Sequence, residues 1–261
     1  MKITKQKEIF GNYSQQMIRK AIIISISTFF LTKKEINIFR EEKPWGVILF
    51  KRNILSEKQL KLLTSKIRRV MKDKKYPILI DEEGGRVTRL SNFLDNSIFN
   101  QQYFGDLCKV NKKIGLAVYK NYIDAISMYL KKLGININTS PVLDLWYKKA
   151  DKIIGNRSYS ENPTIVNLLG RFCIKSYMKN KIASVIKHIP GHGRANTDSH
   201  FDLPIVKNDL KFLKKNDFKC FKNLNSHFAM TAHILYNKID SKNNATHSKI
   251  LIKKIIRKEI G

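Results

Sequence analysis

The chain has 261 residues, 43% of them hydrophobic, enough to bury one sizeable core. Its 50 Lys and Arg against 21 Asp and Glu give a formal net charge of +29, which admits a binder of nucleic acid or anionic surfaces. The lysines are spread along the chain and no block of about five or six like charges marks a basic tail. Drift toward Lys, Ile and Asn is therefore preferred, and no specific nucleic-acid partner is expected.

Three cysteines, Cys108, Cys173 and Cys220, form an odd set without a CxxC pair. Free thiols in a reducing cytoplasm fit them better than a disulfide framework. No apolar run is long enough to span a membrane as a helix.

In chain order, the apolar run Ala21–Leu31 comes first. It starts late for a signal peptide and lacks a small-residue cleavage site, so it reads as a buried strand. Thr32 then caps a helix, with Glu35 completing a capping box. Trp45–Phe50 is a second strand. Ser56 and Gln59 form another expected capping box, before a helix with apolar Leu60, Leu63, Ile67 and Val70.

Tyr76–Ile80 is a third strand, ending at Asp81. A longer connection leads to a helix from about Lys112 to Leu133, closed by Gly134. Ile135–Val142 is a fourth strand, ending near Asp144. An irregular stretch runs to Asn162 and Pro163, a cap and first-turn pair. Ile182–Lys187 is a fifth strand, followed by a polar loop to Pro204 and a helix after Asp209. Phe228–His233 is a sixth strand, and a last helix is capped by Ser248 and closed by Gly261.

Strands alternating with helices imply an α/β chain with a parallel sheet. Polar residues gather just after the strands, at Asp81, Lys187 and His233, where a parallel barrel has its active-site rim. No GxGxxG follows the first strand, so a dinucleotide site is not expected. No linker or composition shift marks a second domain. Residues 1–19 read as an N-terminal extension and 20–261 as one barrel domain.

Three clusters could carry chemistry. Asp81-Glu82-Glu83-Gly84-Gly85-Arg86-Val87-Thr88-Arg89 ends a strand in three carboxylates and two glycines. It is a ligand-gripping turn or, about equally, a solvated turn with surface ion pairs. Ile154-Gly155-Asn156-Arg157-Ser158 is weak alone, because a lone loop arginine is more often a surface residue.

Lys187-His188-Ile189-Pro190-Gly191-His192-Gly193 followed by Asp198-Ser199-His200 is the richest. A metal site of His188, His192, Asp198 and His200 competes with an acid/base site. The Pro-Gly between the first two histidines keeps them off one helical face. Asp198 stands two residues from His200, close enough to orient its ring. His233 is read slightly in favour of a satisfied core histidine over a barrel-mouth residue.

These motifs stand in the order that resembles the β-N-acetylhexosaminidases of glycoside hydrolase family 3. Pro44-Trp45-Gly46-Val47-Ile48-Leu49-Phe50-Lys51-Arg52-Asn53 and Met230-Thr231-Ala232-His233 belong to the same series. The resemblance implies an incomplete (β/α)8 TIM barrel with about six of the eight strands. It implies a cytoplasmic glycosidase removing terminal β-linked N-acetylglucosamine from muropeptide-like fragments of peptidoglycan recycling, with no cofactor or metal and no membrane partner.

By resemblance, Asp81, Arg89, Arg157, Lys187 and His188 bind the sugar. His200 is then the general acid/base, Asp198 orients it, and an aspartate attacks in a retaining double displacement. Small departures are Glu82 where glutamine is common, Tyr159 and Ile189 where phenylalanine is common, and Asn244 where proline is common.

The larger departure is at Gly261. There the family continues into a hydrophobic strand and a Ser-Asp-Asp-Leu segment whose first aspartate is the nucleophile. The expectations are therefore an open barrel and, as the alternative to a working glycosidase, an inactive sugar-binding remnant.

Overall fold

The computed structural model describes residues 18–147, 153–195 and 203–261. Six strands form one parallel sheet: β1 (Lys20–Ile24), β2 (Pro44–Leu49), β3 (Ile78–Ile80), β4 (Ile137–Asn138), β5 (Ala183–Ile189) and β7 (Phe228–Thr231). Their spatial order is their chain order, as expected when each strand is joined to the next by a crossover on one side. The crossovers carry α1 (Lys33–Glu42), α2 (Glu57–Met71), α3 (Gln101–Val110), α4 (Lys112–Lys132), α5 (Pro163–Lys179) and α6 (Leu210–Lys215). Among the described residues the sheet is open, with β1 and β7 at its edges.

Strand alternation sorts the side chains into two layers. Ile78 and Ile80 pack outward with the helices, in a core that includes Ile67 of α2 and Tyr119, Ile123 and Leu130 of α4. Leu79, Ile137, Ala183 and Val185 pack on the inner face, with Trp45, Ile48, Phe228 and Met230 partly buried against them. Continuing that period of two places Asp81, Thr139 and Lys187 as the next inward residues of β3, β4 and β5. The inner face is thus apolar along the strands and turns polar at their C-terminal ends.

Most expected elements are present, with several corrections. The strand expected over Ala21–Leu31 is short, and four of its five residues are exposed. Among the described residues it is an edge strand paired with β2 alone. The backbone leaves the ladder where the Glu35 carboxylate accepts Ser27 N at 2.8 Å and Thr32 N at 2.8 Å.

The Thr32–Glu35 capping box is present, but Ser56 and Gln59 make only half of one. Ser56 Oγ accepts Gln59 N at 3.2 Å, while Gln59 Oε1 accepts Leu55 N at 2.9 Å. Helix α3 was hidden inside the connection after Asp81. It buries only Gln101, Phe104 and Gly105, too few for a visible period, and the Asn100 cap was its one signal.

A second, two-stranded parallel sheet joins β6 (Ile205–Val206) to β8 (Leu235–Tyr236), each too short to read as an alternating pattern. The last helix, Leu251–Ile260, is a wide π-type coil whose C-terminal Gly261 N–H donates to Ile256 O at 3.1 Å. Among the described residues no helix is long and apolar enough to cross a membrane.

Candidate active site

The C-terminal ends of the strands surround a cavity of about 460 Å³. Asp81, Glu83, Arg89, Arg157, Lys187 and His188 line it, with Phe50, His192 and His233 on its rim. All five expected sugar-contact residues therefore meet in one place. Asp198 and His200 lie outside the described residues.

Lys187 is the centre of the charge network. Its side chain is 2% exposed, and Nζ lies 2.5 Å from Glu83 Oε1 and 3.1 Å from Asp81 Oδ1. Thr139 Oγ1 donates to Asp81 Oδ1 as well, and Arg89 Nη2 reaches Asp81 Oδ2 at 3.2 Å. Arg157 grips Glu83 with both arms of its fork, Nε at 2.8 Å and Nη2 at 2.9 Å, and Nη1 donates to Ile153 O at 3.1 Å. Two carboxylates and three cations are interleaved, the arrangement that a buried charge cluster needs.

The pKa directions follow. Burial pushes Asp81 up, but Lys187, the Thr139 hydroxyl and Arg89 outweigh it and hold the carboxyl well below its usual range. Burial also works against Glu83, yet Lys187 and Arg157 bring it down to about 2. Both are carboxylates at neutral pH and both can accept hydroxyl donors.

Glycines make this turn possible. Gly84 and Gly85 have φ of 85° and 64°, a region open to glycine and costly for other residues. A Cβ on Gly84 would also sit 2.2 Å from Phe99 O. The turn lets Glu83 N donate to Val87 O at 3.0 Å, so the chain folds back on itself.

Glu82 faces the other way. Its carboxylate accepts from Thr88 Oγ1 (2.6 Å), Asn96 Nδ2 (2.7 Å), Arg89 N (2.8 Å) and Leu90 N (3.2 Å). Burial raises its pKa against those four donors. The three acids are 9%, 0% and 4% exposed, which removes the solvated-turn reading. Asp81 and Glu83 shape the cavity, and Glu82 braces the loop that carries Arg89.

His188 is held by Asp144, which lies beyond the end of β4. Its Nδ1 is 2.6 Å from Asp144 Oδ2, and Asp144 Oδ1 accepts His192 N at 2.6 Å. A carboxylate on Nδ1 fixes the ring and leaves Nε2 for a ligand. Burial pushes Asp144 up, but His188 first and then His192 pull it below its usual range. Burial pushes the His192 imidazole down, against Asp144. Among the described residues no group of three His, Cys, Asp or Glu could hold a metal ion.

Sequence reasoning missed Glu83, Thr139 and Asp144 as parts of the site. Asp144 did carry a signal, because it lies just after the end of the expected fourth strand, whereas Thr139 fell inside that strand, which the structure shortens to Ile137–Asn138. The reading of His233 as a core residue is corrected: it is exposed and lines the cavity. It lies two residues beyond the end of β7, and its Nδ1 is 3.1 Å from Thr246 Oγ1.

Comparison with known proteins bears on the family and the fold. The family described as "Glycosyl hydrolase family 3 N terminal domain" matches residues 24–261. A beta-hexosaminidase of Bordetella pertussis is 32% identical over 248 residues, covering 92% of this chain and 68% of that protein. A beta-hexosaminidase of Neisseria meningitidis is 32% identical over 250 residues, covering 93% and 67%. The crystal structure of NagZ from Neisseria gonorrhoeae in complex with N-trifluoroacetyl-D-glucosamine has a TM-score of 0.85 and 30% identity, covering 93% of this chain and 72% of that one.

Proposed function

The chain belongs to glycosyl hydrolase family 3 through its N-terminal domain, and from that premise we propose that it is a β-N-acetylhexosaminidase acting on terminal β-linked N-acetylglucosamine. The observation that carries this reading is the ring of Asp81, Glu83, Arg157 and Lys187 around one cavity at the strand C-termini. Its volume of about 460 Å³ suits a single sugar. Asp81 accepts hydroxyl protons, and Arg89, whose Nε is buried without a partner, offers a donor. Lys187 and Arg157 neutralise and hold the acids. His188, fixed through Nδ1, presents Nε2 to the sugar.

The chemistry we assign is a retaining double displacement. His200, oriented by Asp198, gives a proton to the leaving oxygen while a carboxylate attacks the anomeric carbon. His200 then takes a proton from water, and that water displaces the carboxylate. The substrates we assign are muropeptide-like fragments of peptidoglycan recycling in the cytoplasm, a location that the free Cys108, Cys173 and Cys220 suit.

One observation bears on the alternative of a sugar-binding remnant. Among the described residues, the carboxylates lining the cavity are Asp81 and Glu83, and both are committed to cations. Neither is free to attack. Two measurements on the full chain separate the readings: calorimetric titration with N-acetylglucosamine and turnover of a chromogenic N-acetyl-β-glucosaminide. Saturable binding that Asp81→Asn weakens about tenfold to a hundredfold supports the site. Binding without turnover supports the remnant. Absence of binding overturns both.

A further inference from the structure

A larger concavity, of about 630 Å³, lies at the opposite end of the sheet, between the C-terminal turns of α2 and α4. Those turns feed the N-terminal ends of β3 and β4, whereas the sugar cavity is built on C-terminal ends. Seven Lys and Arg line this groove against one acid, Asp73.

The cations are poorly compensated. Asp73 is taken by Arg19 at 2.5 Å. Lys61 and Lys132 share Glu57, at 2.7 and 2.8 Å. Among the described residues Arg69, Lys72, Lys74 and Lys131 have no ion pair. Cations at helix C-termini are ordinary, because each end carries about half a negative elementary charge. With Asp73 spent on Arg19, two helix ends and Glu57 offset about two of the seven charges. The rest repel one another across a shared concavity, and a bound anion relieves that repulsion.

Arg68 is the second observation. Its Nε is buried and has no hydrogen-bond partner. A guanidinium donor kept from water without a partner is costly, and a ligand oxygen would satisfy it. Burial pushes the Arg68 pKa down, with Asp73 opposing.

We propose that this groove binds a small oligophosphate, with Arg68 meeting one phosphate group and Arg69, Lys72 and Lys131 flanking the others. Phosphate oxygens match the guanidinium fork and accept from several ammonium groups at once. The volume falls within the span of small-molecule sites. Cations on two separate helix ends suit a chain of phosphates better than a single carboxylate.

The test is calorimetric titration of the full chain with inorganic tripolyphosphate, which does not depend on hydrolase activity. Saturable one-to-one binding is expected, weakening severalfold between about 0.05 M and about 0.3 M salt. The double variant Lys72→Gln/Lys131→Gln, at two exposed positions, should bind about tenfold more weakly. The control Lys211→Gln/Lys238→Gln, also exposed and away from the groove, removes the same charge and should bind as the parent does.

Equal weakening in both variants would mean diffuse charge, an adventitious ion only, and overturns the proposal. So does the absence of saturable binding at the lower salt. A single-stranded oligonucleotide bound more tightly than tripolyphosphate, and equally weakened in both variants, overturns it in favour of non-specific nucleic-acid binding.

Discussion

Lys187 Nζ stands 2.5 Å from Glu83 Oε1, and each side chain is 2% exposed. Neither charge has water to return to, so each depends on the other. Removing one partner of such a pair strands the other in a low-dielectric site. Glu83→Ala also releases Arg157, which loses both of its bonds to that carboxylate. The expected loss of folding stability is about 3 kcal/mol, read from urea denaturation. Asp106→Ala, which breaks the exposed pair with Lys109, should leave the urea midpoint unchanged.

The same cluster sets the response to acid. Glu83 falls from a reference near 4.5 to about 2 in the folded protein, and Asp81 is depressed as well. A carboxyl with a depressed folded pKa stabilises above its unfolded pKa, and that stability is lost as pH falls through the folded value. The unfolded chain takes up protons first, so stability should begin to fall near pH 4.5 and keep falling toward about 2. Urea midpoints across this range check it. In Glu83→Gln the slope should be shallower, although the starting stability is lower.

What the sequence showed and hid follows from the range of each interaction. The strand end at Asp81 and the polar turn of β5 at Lys187, two residues before that strand ends at Ile189, were legible because an apolar strand that turns polar toward its C-terminus is a local pattern. The Thr32–Glu35 box was legible for the same reason. The partner of His188 was not: Asp144 is 44 residues away and meets it only because β4 lies beside β5.

Glu83 was read as part of the glycine turn, but at Gly84 the chain folds back and aims its carboxylate at Lys187 and Arg157. The box at Ser56 failed on competition, since Leu55 N took the Gln59 carbonyl. The exposure of β1 is a property of its place at the edge, which its composition does not carry. The expected acid/base pair, Asp198 and His200, falls outside the described residues, so the half of the site proposed to hold the sugar is the half the structure describes.

Asp144 should act on sugar binding through His188. Its Oδ2 fixes His188 Nδ1 and its Oδ1 accepts His192 N, so one carboxylate holds both the ring and the backbone turn. Asp144→Asn keeps the size and can still accept one of these bonds, but it loses the charge and offers an amide donor to the other. The His188 ring then turns or changes tautomer. N-acetylglucosamine affinity should fall about tenfold, measured by calorimetry. His188→Ala should weaken binding by a similar factor. Adding Asp144→Asn to His188→Ala should then cost little more, because the two act as one unit.

Glu82→Gln should be tolerated, unlike Glu82→Ala. The carboxylate receives four donors, yet burial raises its pKa, so keeping it ionised near pH 7 has a cost. The sign is opposite to that of Glu83. A raised folded pKa contributes stability below the unfolded pKa, and that contribution is lost as pH rises through the folded value. A glutamine has no such proton equilibrium. Its Oε1 can keep the Arg89 and Leu90 N–H groups, while its Nε2 faces Thr88 and Asn96.

Thr88 can turn its hydroxyl to accept. Asn96 Oδ1 is buried without a partner, so flipping that amide brings an acceptor to the new donor. Glu82→Gln should therefore match or exceed the parent's urea midpoint at neutral pH. Glu82→Ala leaves several buried donors without an acceptor and should lose about 3 kcal/mol. A glutamine variant as unstable as the alanine one would show that these donors require a full negative charge.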